Sequence, residues 1–572
     1  MAVKNGVLSK ATVAEQTPLL QENQGKRSNG PGAALSQPLA DAEDEEDLID
    51  STKANQHVGK ARGGLIVLSL WGLIFLQAAN FSGVTIAQSR IAEDLDAFAQ
   101  VTWFSSAYLI SLSSFSPIAA RLAQVFSPRS CMFLAAIFFS LGGLITSQAP
   151  SIELFLLGRV VSGLGAAGIM TISFILVLEL SGKKRRGLFI GLVNTGFTAG
   201  VSLGALIVGA LLPTMGWRFL FWIQTPIGVL AGLGLFLSIP GSFTSGHKSD
   251  TTASVWSKLA KIDYLGGITL IVALACFLFG LSWPKILWPP IVASAFLTVF
   301  FVLIEIYVAS DPIIPVAVLK SRGTLCSCFA QLGIMASRWM VLFYSPTWAM
   351  GVRGWDHASA GSVLIPTNLG FAVGGLTVGA LHINRAGSFW LPSIISTTCF
   401  TGSLLLISQL SSPNITAVYF LLAIFANGLC AGATITYALA HLLHITPPSS
   451  HFISSALLNT FRGFAGSFGS AVGGGIFLRT LSSRLTQGFE EHGGLKGRAE
   501  LIRRLVGAPA LVPGLSGVER EVAISSYSTA TGILFLSGAI VAGLMVFVQA
   551  GTGWTSVAEV DKPLLEEEWE EG

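Results

Sequence analysis

From residue 63 onward the chain alternates apolar runs of spanning length with short polar breaks. The runs fall near 64–86, 102–122, 131–149, 152–178, 188–212, 218–239, 264–282, 286–309, 324–349, 359–381, 387–409, 415–440, 452–478 and 527–549. Each can cross a bilayer core about 30 Å thick as one helix of roughly 20 residues. In lipid the backbone must bond within its own segment, which leaves helices for runs of this kind. The pattern therefore predicts an all-α membrane protein with fourteen transmembrane helices. Ser282-Trp-Pro-Lys285 leaves hardly any loop between the seventh and eighth runs.

Orientation follows from basic residues in the short connections, which favour the cytoplasmic side. With the N-terminal tail inside, the inner connections hold Arg121, Arg129, the cluster Lys183-Lys184-Arg185-Arg186, Lys248, Lys258, Lys261, Lys320, Arg322 and Arg385. The first outer connection is acidic, with Glu93, Asp94 and Asp96. A long outer loop, 479–526, carries Arg479, Arg484, Arg503 and Arg504 against the trend. The rule is weak for long loops. Asn414-Ile-Thr416 is a glycosylation sequon on the outer side, in a loop so short that we expect it to be unused.

Composition sharpens the picture. Charged residues make up 11% of the 572-residue chain and mean hydropathy is +0.67, against about 25% charged in soluble domains. A net charge of +3 gives no reason to expect nucleic acid. The six cysteines show no metal, haem or thioredoxin spacing, so no metal or other cofactor is expected. Residues 1–62 are polar, with an acidic run over Asp41–Asp47, and read as a disordered cytoplasmic tail. They lack the apolar core of a signal peptide, so the first span is expected to serve as the insertion signal. Residues 551–572 form an acidic inner tail. Within the first tail, Glu15-Gln-Thr-Pro-Leu19-Leu20 has the form of an acidic dileucine signal, which clathrin adaptors read on the way to endosomes, lysosomes or vacuoles. An accidental Leu-Leu in a floppy tail is the competing reading.

The most organised stretch is Leu157–Gly187. It joins a span, one early cation (Arg159), small residues at helical spacing (Gly158, Ser162, Ala166, with Gly163 and Ala167 beside them) and the basic cluster at its end. Small residues let helices approach closely. An arginine at membrane depth is costly and marks a candidate site. Arg338 and Arg462 are further arginines within runs, and Gln77 and Asn80 share a face of the first. Asn368, Asn427 and Tyr437 are candidate path-lining residues, with plain interhelical hydrogen bonding as the alternative. Glu179 and Glu305 lie near span ends and read as solvated carboxylates. His441 and His444 read as interfacial.

Four motifs carry a family resemblance over 63–550. Leu157-Gly-Arg159-Val-Val-Ser-Gly163-x-Gly165 is similar to the fourth-helix motif of the major facilitator superfamily. Trp103-Phe-Ser-Ser-Ala-Tyr108 resembles its second-helix signature, and Gly196-x-x-x-Gly200-Val-Ser-Leu-Gly204 its fifth-helix antiporter motif. Asn459-Thr-Phe-Arg462-Gly-Phe-Ala-Gly466 resembles the thirteenth-helix pattern of its fourteen-span fungal group, drug:H+ antiporter family 2. The resemblance implies the major facilitator fold: a six-helix bundle over 63–240, a linker with two extra helices over 241–323, and a second six-helix bundle over 324–550. It also implies a secondary transporter without a cofactor, working by alternating access on small amphipathic drugs, toxins or metabolites, with protons as a coupling partner. Arg159, Asn80, Gln77, Arg338 and Arg462 would serve transport or coupling. The stripe Gly196/Gly200/Gly204 would be either a rocking contact or static packing.

The departures bear on coupling. Asn80 stands where relatives carry a first-helix aspartate, Gln124 at the aspartate of the next loop, and Val201 at the fifth-helix proline. Neither Asn nor Gln titrates, so proton coupling is weakened as an expectation. A vacuolar amino-acid transporter is an alternative, as is a non-transporting receptor on the same fold, against which the short tails argue. No GxxxxGK[ST] loop offers a grip on nucleotide, and no catalytic cluster suggests an enzyme. With arginines and few acids in the spans, an anionic or neutral solute fits better than a dication. The membrane is expected to be vacuolar, endosomal or plasma. The carrier reading requires a chamber between the halves, fringed by the arginines.

Overall fold

The computed structural model describes residues 60–180, 186–239, 264–282, 286–308, 321–382, 389–446, 451–492 and 497–553. The tail bearing Glu15, Leu19 and Leu20, the side chain of Gln124 and the inner cluster 183–186 lie outside the described residues or side chains.

Helices dominate, and each predicted run falls on one. They are α1 (Lys60–Asp94), α2 (Val101–Val125), α3 (Pro128–Ser147), α4 (Ile152–Leu180), α5 (Arg186–Trp222), α6 (Gln224–Ser238), α7 (Tyr264–Ser282) and α8 (Trp288–Tyr307). Then come α9 (Arg322–Gly351), α10 (His357–Leu381, in two segments that meet at Val363), α11 (Trp390–Leu410), α12 (Ala417–Ile445) and α13 (His451–Glu491). A short α14 (Ala499–Gly507) precedes α15 (Gly517–Ala550). Among the described residues, ten helices are both long and apolar enough to cross a membrane. Helices α6 and α7 are apolar but shorter. The remaining two, α2 and α13, are long but more polar, and they prove to face one another.

Local chemistry sets the boundaries. The Ser127 side chain accepts from the Ser130 amide at 3.3 Å, with Pro128 at the first position of α3. Asp356 caps α10 by accepting from the Ala358 and Ser359 amides. Gly216, at φ 72°, breaks the rod between α5 and its last turns, a conformation only glycine adopts cheaply. That break separates the predicted runs 188–212 and 218–239.

Helices α1–α6 pack into one bundle, with α1 on α5 and α6, α2 on α4, and α3 on α4 and α6. Helices α9–α13 with α15 form a second, with α9 on α13 and α15, α10 on α12, and α11 on α12 and α15. Two seams join the halves: α2 against α13, and α5 against the start of α10. The pair α7/α8 packs on itself and rests against α2 and α13 through α7. The surface carries large bare apolar side chains, such as Phe296, Leu376 and Phe547, at 73%, 72% and 77% exposure. A soluble protein would not leave so continuous a coat in water.

The stretch 479–526 is not the open loop expected. Helix α13 runs on to Glu491, α14 and a 3-10 turn (Pro509–Gly514) follow, and α15 starts at Gly517. Hydropathy ends a span at its first charges, whereas helical hydrogen bonding continues into water.

Candidate functional site

Within the first half, glycines bring α4 close enough to bury a cation. A Cβ on Gly158 would sit 2.6 Å from the Thr146 amide nitrogen of α3, and one on Gly163 would sit 2.8 Å from Ser111 Cβ of α2. Between these helices Arg159 is wholly buried. Its Nε donates to the Phe104 carbonyl at 2.9 Å and its Nη1 donates to Asn80 Oδ1. The guanidinium lies 4.6 Å from the Tyr108 ring centre and 5.7 Å from that of Phe221. Asn80 Nδ2 donates to Gln224 Oε1 at 2.8 Å, and the Tyr108 hydroxyl donates to the Gln77 carbonyl at 3.2 Å. The structure thus gathers Arg159, Asn80, Tyr108 and the Gln77 backbone into one knot inside a single half. The Gln77 side chain points elsewhere, toward Met170. Trp103 packs on Phe279 of α7, with ring centres 5.3 Å apart.

The other two arginines sit at the junction of the halves. Arg338 of α9 donates from Nη2 to Asn368 Oδ1 of α10 at 3.0 Å, and Asn368 Nδ2 donates to Ser202 Oγ of α5 at 2.8 Å. Arg462 of α13 donates from Nη2 to Asn194 Oδ1 of α5 at 3.3 Å. Beside them an aromatic cluster spans the junction. Phe81 of α1 packs on Trp339 and Phe343 of α9, with ring centres 4.9 and 5.9 Å apart, and Phe197 of α5 packs on Trp339 at 6.2 Å. Gly466 leaves room for Trp339, 3.3 Å from where its Cβ would stand.

Serine pairs stitch the α2–α13 seam: Ser106 with Ser470 at 2.7 Å and Ser113 with Ser467 at 2.9 Å. These polar partners explain the lower apolarity of both helices. At the α5–α10 seam, Gly361 fits against the Ala205 backbone and Gly209 against His357 and Ala358.

Cross-half contacts gather at the end bearing the 95–100 turn, the end that the basic-residue bias leads us to expect outside. There Arg503 of α14 reaches Asp96 at 2.6 Å and Glu500 at 2.9 Å. Phe98 lies under Gly507, and Gln88 Nε2 donates to the Gly507 carbonyl at 3.3 Å. The Ala510 amide donates to Ser89 Oγ at 3.4 Å, and within the first half Asp94 pairs with Arg218. The hydrogen bond from Arg503 holds the Glu500 carboxyl below its ordinary range, and Glu500 and Asp96 push Arg503 up. The arginines that broke the charge bias in 479–526 are thus partly answered by the acids of the first outer turn.

Several expectations need correcting. The stripe Gly196/Gly200/Gly204 packs on Trp71, Phe75 and Ala79 of α1, within its own half, so it is not the rocking contact. Glu305 is 2% exposed rather than solvated, and His441 is fully buried, with Nε2 2.8 Å from Thr552 Oγ1. One hollow among the described residues lies beside the first half and α7 rather than between the halves. It measures about 620 Å³ and is walled by α2, α4 and α7, with Trp103, Val160 and Phe279 among its lining. Where the arginine-fringed chamber was expected, aromatic rings fill the junction. Asn427 bonds Ser403 at 2.9 Å and Tyr437 meets His382 at 2.7 Å, both within the second half. Asn414 is exposed.

Sequence reasoning missed Asn194, Ser202, Phe81, Phe197 and Phe343. Asn194 and Ser202 lie eight positions apart, beside the glycine stripe already singled out. That spacing was a usable signal for one polar face. The phenylalanines gave none, because an aromatic in a span looks the same facing lipid or protein.

Two six-helix halves meeting around buried cations form the frame of a solute carrier. The Major Facilitator Superfamily family model matches residues 70–470, and the chain belongs to that superfamily of membrane transporters. It is 28% identical over 373 residues to the MFS-type transporter TOXA of Cochliobolus carbonum, covering 63% of this chain and 68% of that one. It is 25% identical over 505 residues to the rubrofusarin-specific efflux pump aurT of Gibberella zeae, covering 86% and 89%. Among solved structures it resembles a bacterial homologue of the human lysosomal transporter Spinster in its inward-facing conformation. The TM-score is 0.58 at 15% identity, over 87% of this chain and 99% of that one.

Proposed function

We propose that the protein is a secondary exporter of small amphipathic metabolites or toxins, working by alternating access across fourteen spans. The observation that carries this reading is the junction itself. Two bundles touch through serine pairs, close glycine contacts and an aromatic cluster, and Arg462 and Asn368 of one half bond Asn194 and Ser202 of the other. Contacts of this kind part when two halves rock about a midplane site, and the chamber the carrier reading requires, closed here by the aromatic rings, would open between them. The aromatic cluster then becomes an apolar wall with polar fringes, suited to amphipathic solutes. The fungal relatives named as toxin transporters and efflux pumps support the direction and cargo class.

A proton or solute gradient would supply the energy. Asn80 accepts from Arg159 without titrating, so any coupling proton needs another carrier. Residence in the vacuolar, endosomal or plasma membrane follows from the same reading, with the dileucine at Leu19-Leu20 as the candidate address.

Flux tests it. Purified protein in sealed vesicles under an imposed proton gradient should move members of a panel of aromatic metabolites faster than empty vesicles. Trp339→Ala should reduce that flux several-fold while the protein stays folded. A panel moved no faster than in empty vesicles, with or without the gradient, rules out the exporter.

A further inference from the structure

The two arginines at the junction lack something that buried charges require. Arg338 is 5% exposed, and its Nη1 has no hydrogen-bond partner among the described residues. Its guanidinium stacks over Phe371, 4.2 Å from the ring centre. Arg462 is half-buried, and Gly466, one turn further along α13, would have its Cβ 3.3 Å from the ring of Trp339, the chain neighbour of Arg338. The ion pairs among the described residues lie at the outer end, and neither arginine joins one. The polar partners of the two, Asn368 and Asn194, are neutral amides. They aim the guanidinium forks, and among the described residues no carboxylate pairs with either charge. An arginine does not relieve this by giving up its proton, and a buried charge normally has a counter-charge.

We infer that Arg338 and Arg462 form an anion subsite that takes the carboxylate or ionised phenol of an aromatic cargo. The inference rests on the exporter reading of the same junction and adds the sign of the cargo. The free Nη1 of Arg338 supplies a donor to an oxyanion, and a guanidinium fork matches carboxylate geometry. The neighbouring Trp339, Phe343, Phe81 and Phe197 supply ring faces and edges for an aromatic body. A cation placed here would meet two like charges.

Calorimetric titration of the purified full chain in lipid nanodiscs tests the subsite without relying on flux. The probes are 1-naphthoate and the neutral, nearly isosteric 1-naphthamide. Naphthoate should bind at least about tenfold more tightly, which is about 1.4 kcal/mol. Arg462→Gln and Arg338→Gln should each erase that preference, and Arg462→Lys should keep part of it. Arg462 is the less buried of the two, so Arg462→Gln decides the matter should Arg338→Gln fail to fold. Equal binding of the two probes, no binding of either, or a preference that survives Arg462→Gln would overturn the subsite. The two readings fail separately. Flux of neutral solutes without preference for acids removes the subsite and leaves the exporter, whereas tight naphthoate binding without flux removes the exporter alone.

Discussion

At the scale of the residue, Arg159 looked from its position like a coupling group, and its surroundings make it a brace. Its Nε and Nη1 are used on the Phe104 carbonyl and on Asn80, Nη2 has no partner among the described residues, and Tyr108 and Phe221 cover its faces. Each interhelical hydrogen bond in a membrane protein contributes about 0.6–2 kcal/mol, and a desolvated cation–π contact about 2. Arg159→Ala forfeits these and strands Asn80 Oδ1 and the Phe104 carbonyl, each at about 1–3 kcal/mol. The sequence alone suggested that this variant would stop transport at normal expression. The structure predicts that folded protein itself is lost, with a thermal midpoint lowered by several degrees or more. Arg159→Lys should fall between the two, since a lysine offers one point of charge where the guanidinium spans two partners. Size-exclusion profiles and melting curves check this, and an Arg159→Ala protein melting within about 2 °C of wild type would refute the brace. The sequence displayed the arginine clearly. It could not display the acceptors, because Arg159 and Asn80 are 79 positions apart and Arg462 and Asn194 are 268 apart.

At the scale of the element, the helices were the legible part. A run long enough to cross lipid can be little else, so each predicted run met a helix. Two things stayed hidden for physical reasons. Helices do not stop where their apolarity stops, as α13 shows by continuing from the predicted end at 478 to Glu491. A small-residue stripe announces a close neighbour without saying which, and Gly196, Gly200 and Gly204 chose α1. That contact gives a paired prediction. A Cβ on Gly200 would stand 2.5 Å from the Phe75 carbonyl oxygen and 2.7 Å from Ala78 Cβ, so α1 and α5 must separate to admit it. Overpacking of this kind costs about 1–3 kcal/mol. Gly402, on α11, has nothing within 4 Å of its Cβ direction. There Gly→Ala gains about 0.5–1 kcal/mol of helix propensity. Gly200→Ala should therefore lower the melting midpoint by several degrees, and Gly402→Ala should hold or raise it. Equal effects from the two would show that α1 and α5 are not in the contact described.

At the scale of the whole molecule, the outer end is shut and the question is what holds it. The α14 segment belongs to the second half, yet it lies on the first outer turn, with Gly507 over Phe98 and Arg503 joining Asp96 to Glu500. These ionic groups are exposed, so each pair is weak and screened by salt. A weak latch suits a gate that must open in every cycle. The carboxyl of Glu500 is held below its ordinary value of 4.5, so the stability it lends the closed end is full above that value. It is lost as pH falls through the lowered value in the closed state. Arg503→Gln should loosen the latch at neutral pH, and acid or high salt should loosen it in wild type. Deeper in the seam, Ser106 is wholly buried against Ser470 and serves as the reporter. In a cysteine-free background, Ser106→Cys should react with a water-soluble maleimide several-fold faster when Arg503→Gln is added. The double variant Ser106→Cys/Ser470→Cys, once oxidised, should stop flux until a reductant restores it. Labelling unchanged by Arg503→Gln, by salt and by acid would mean that α14 rests on the gate without holding it. The serine seam would then keep the outer end closed by itself.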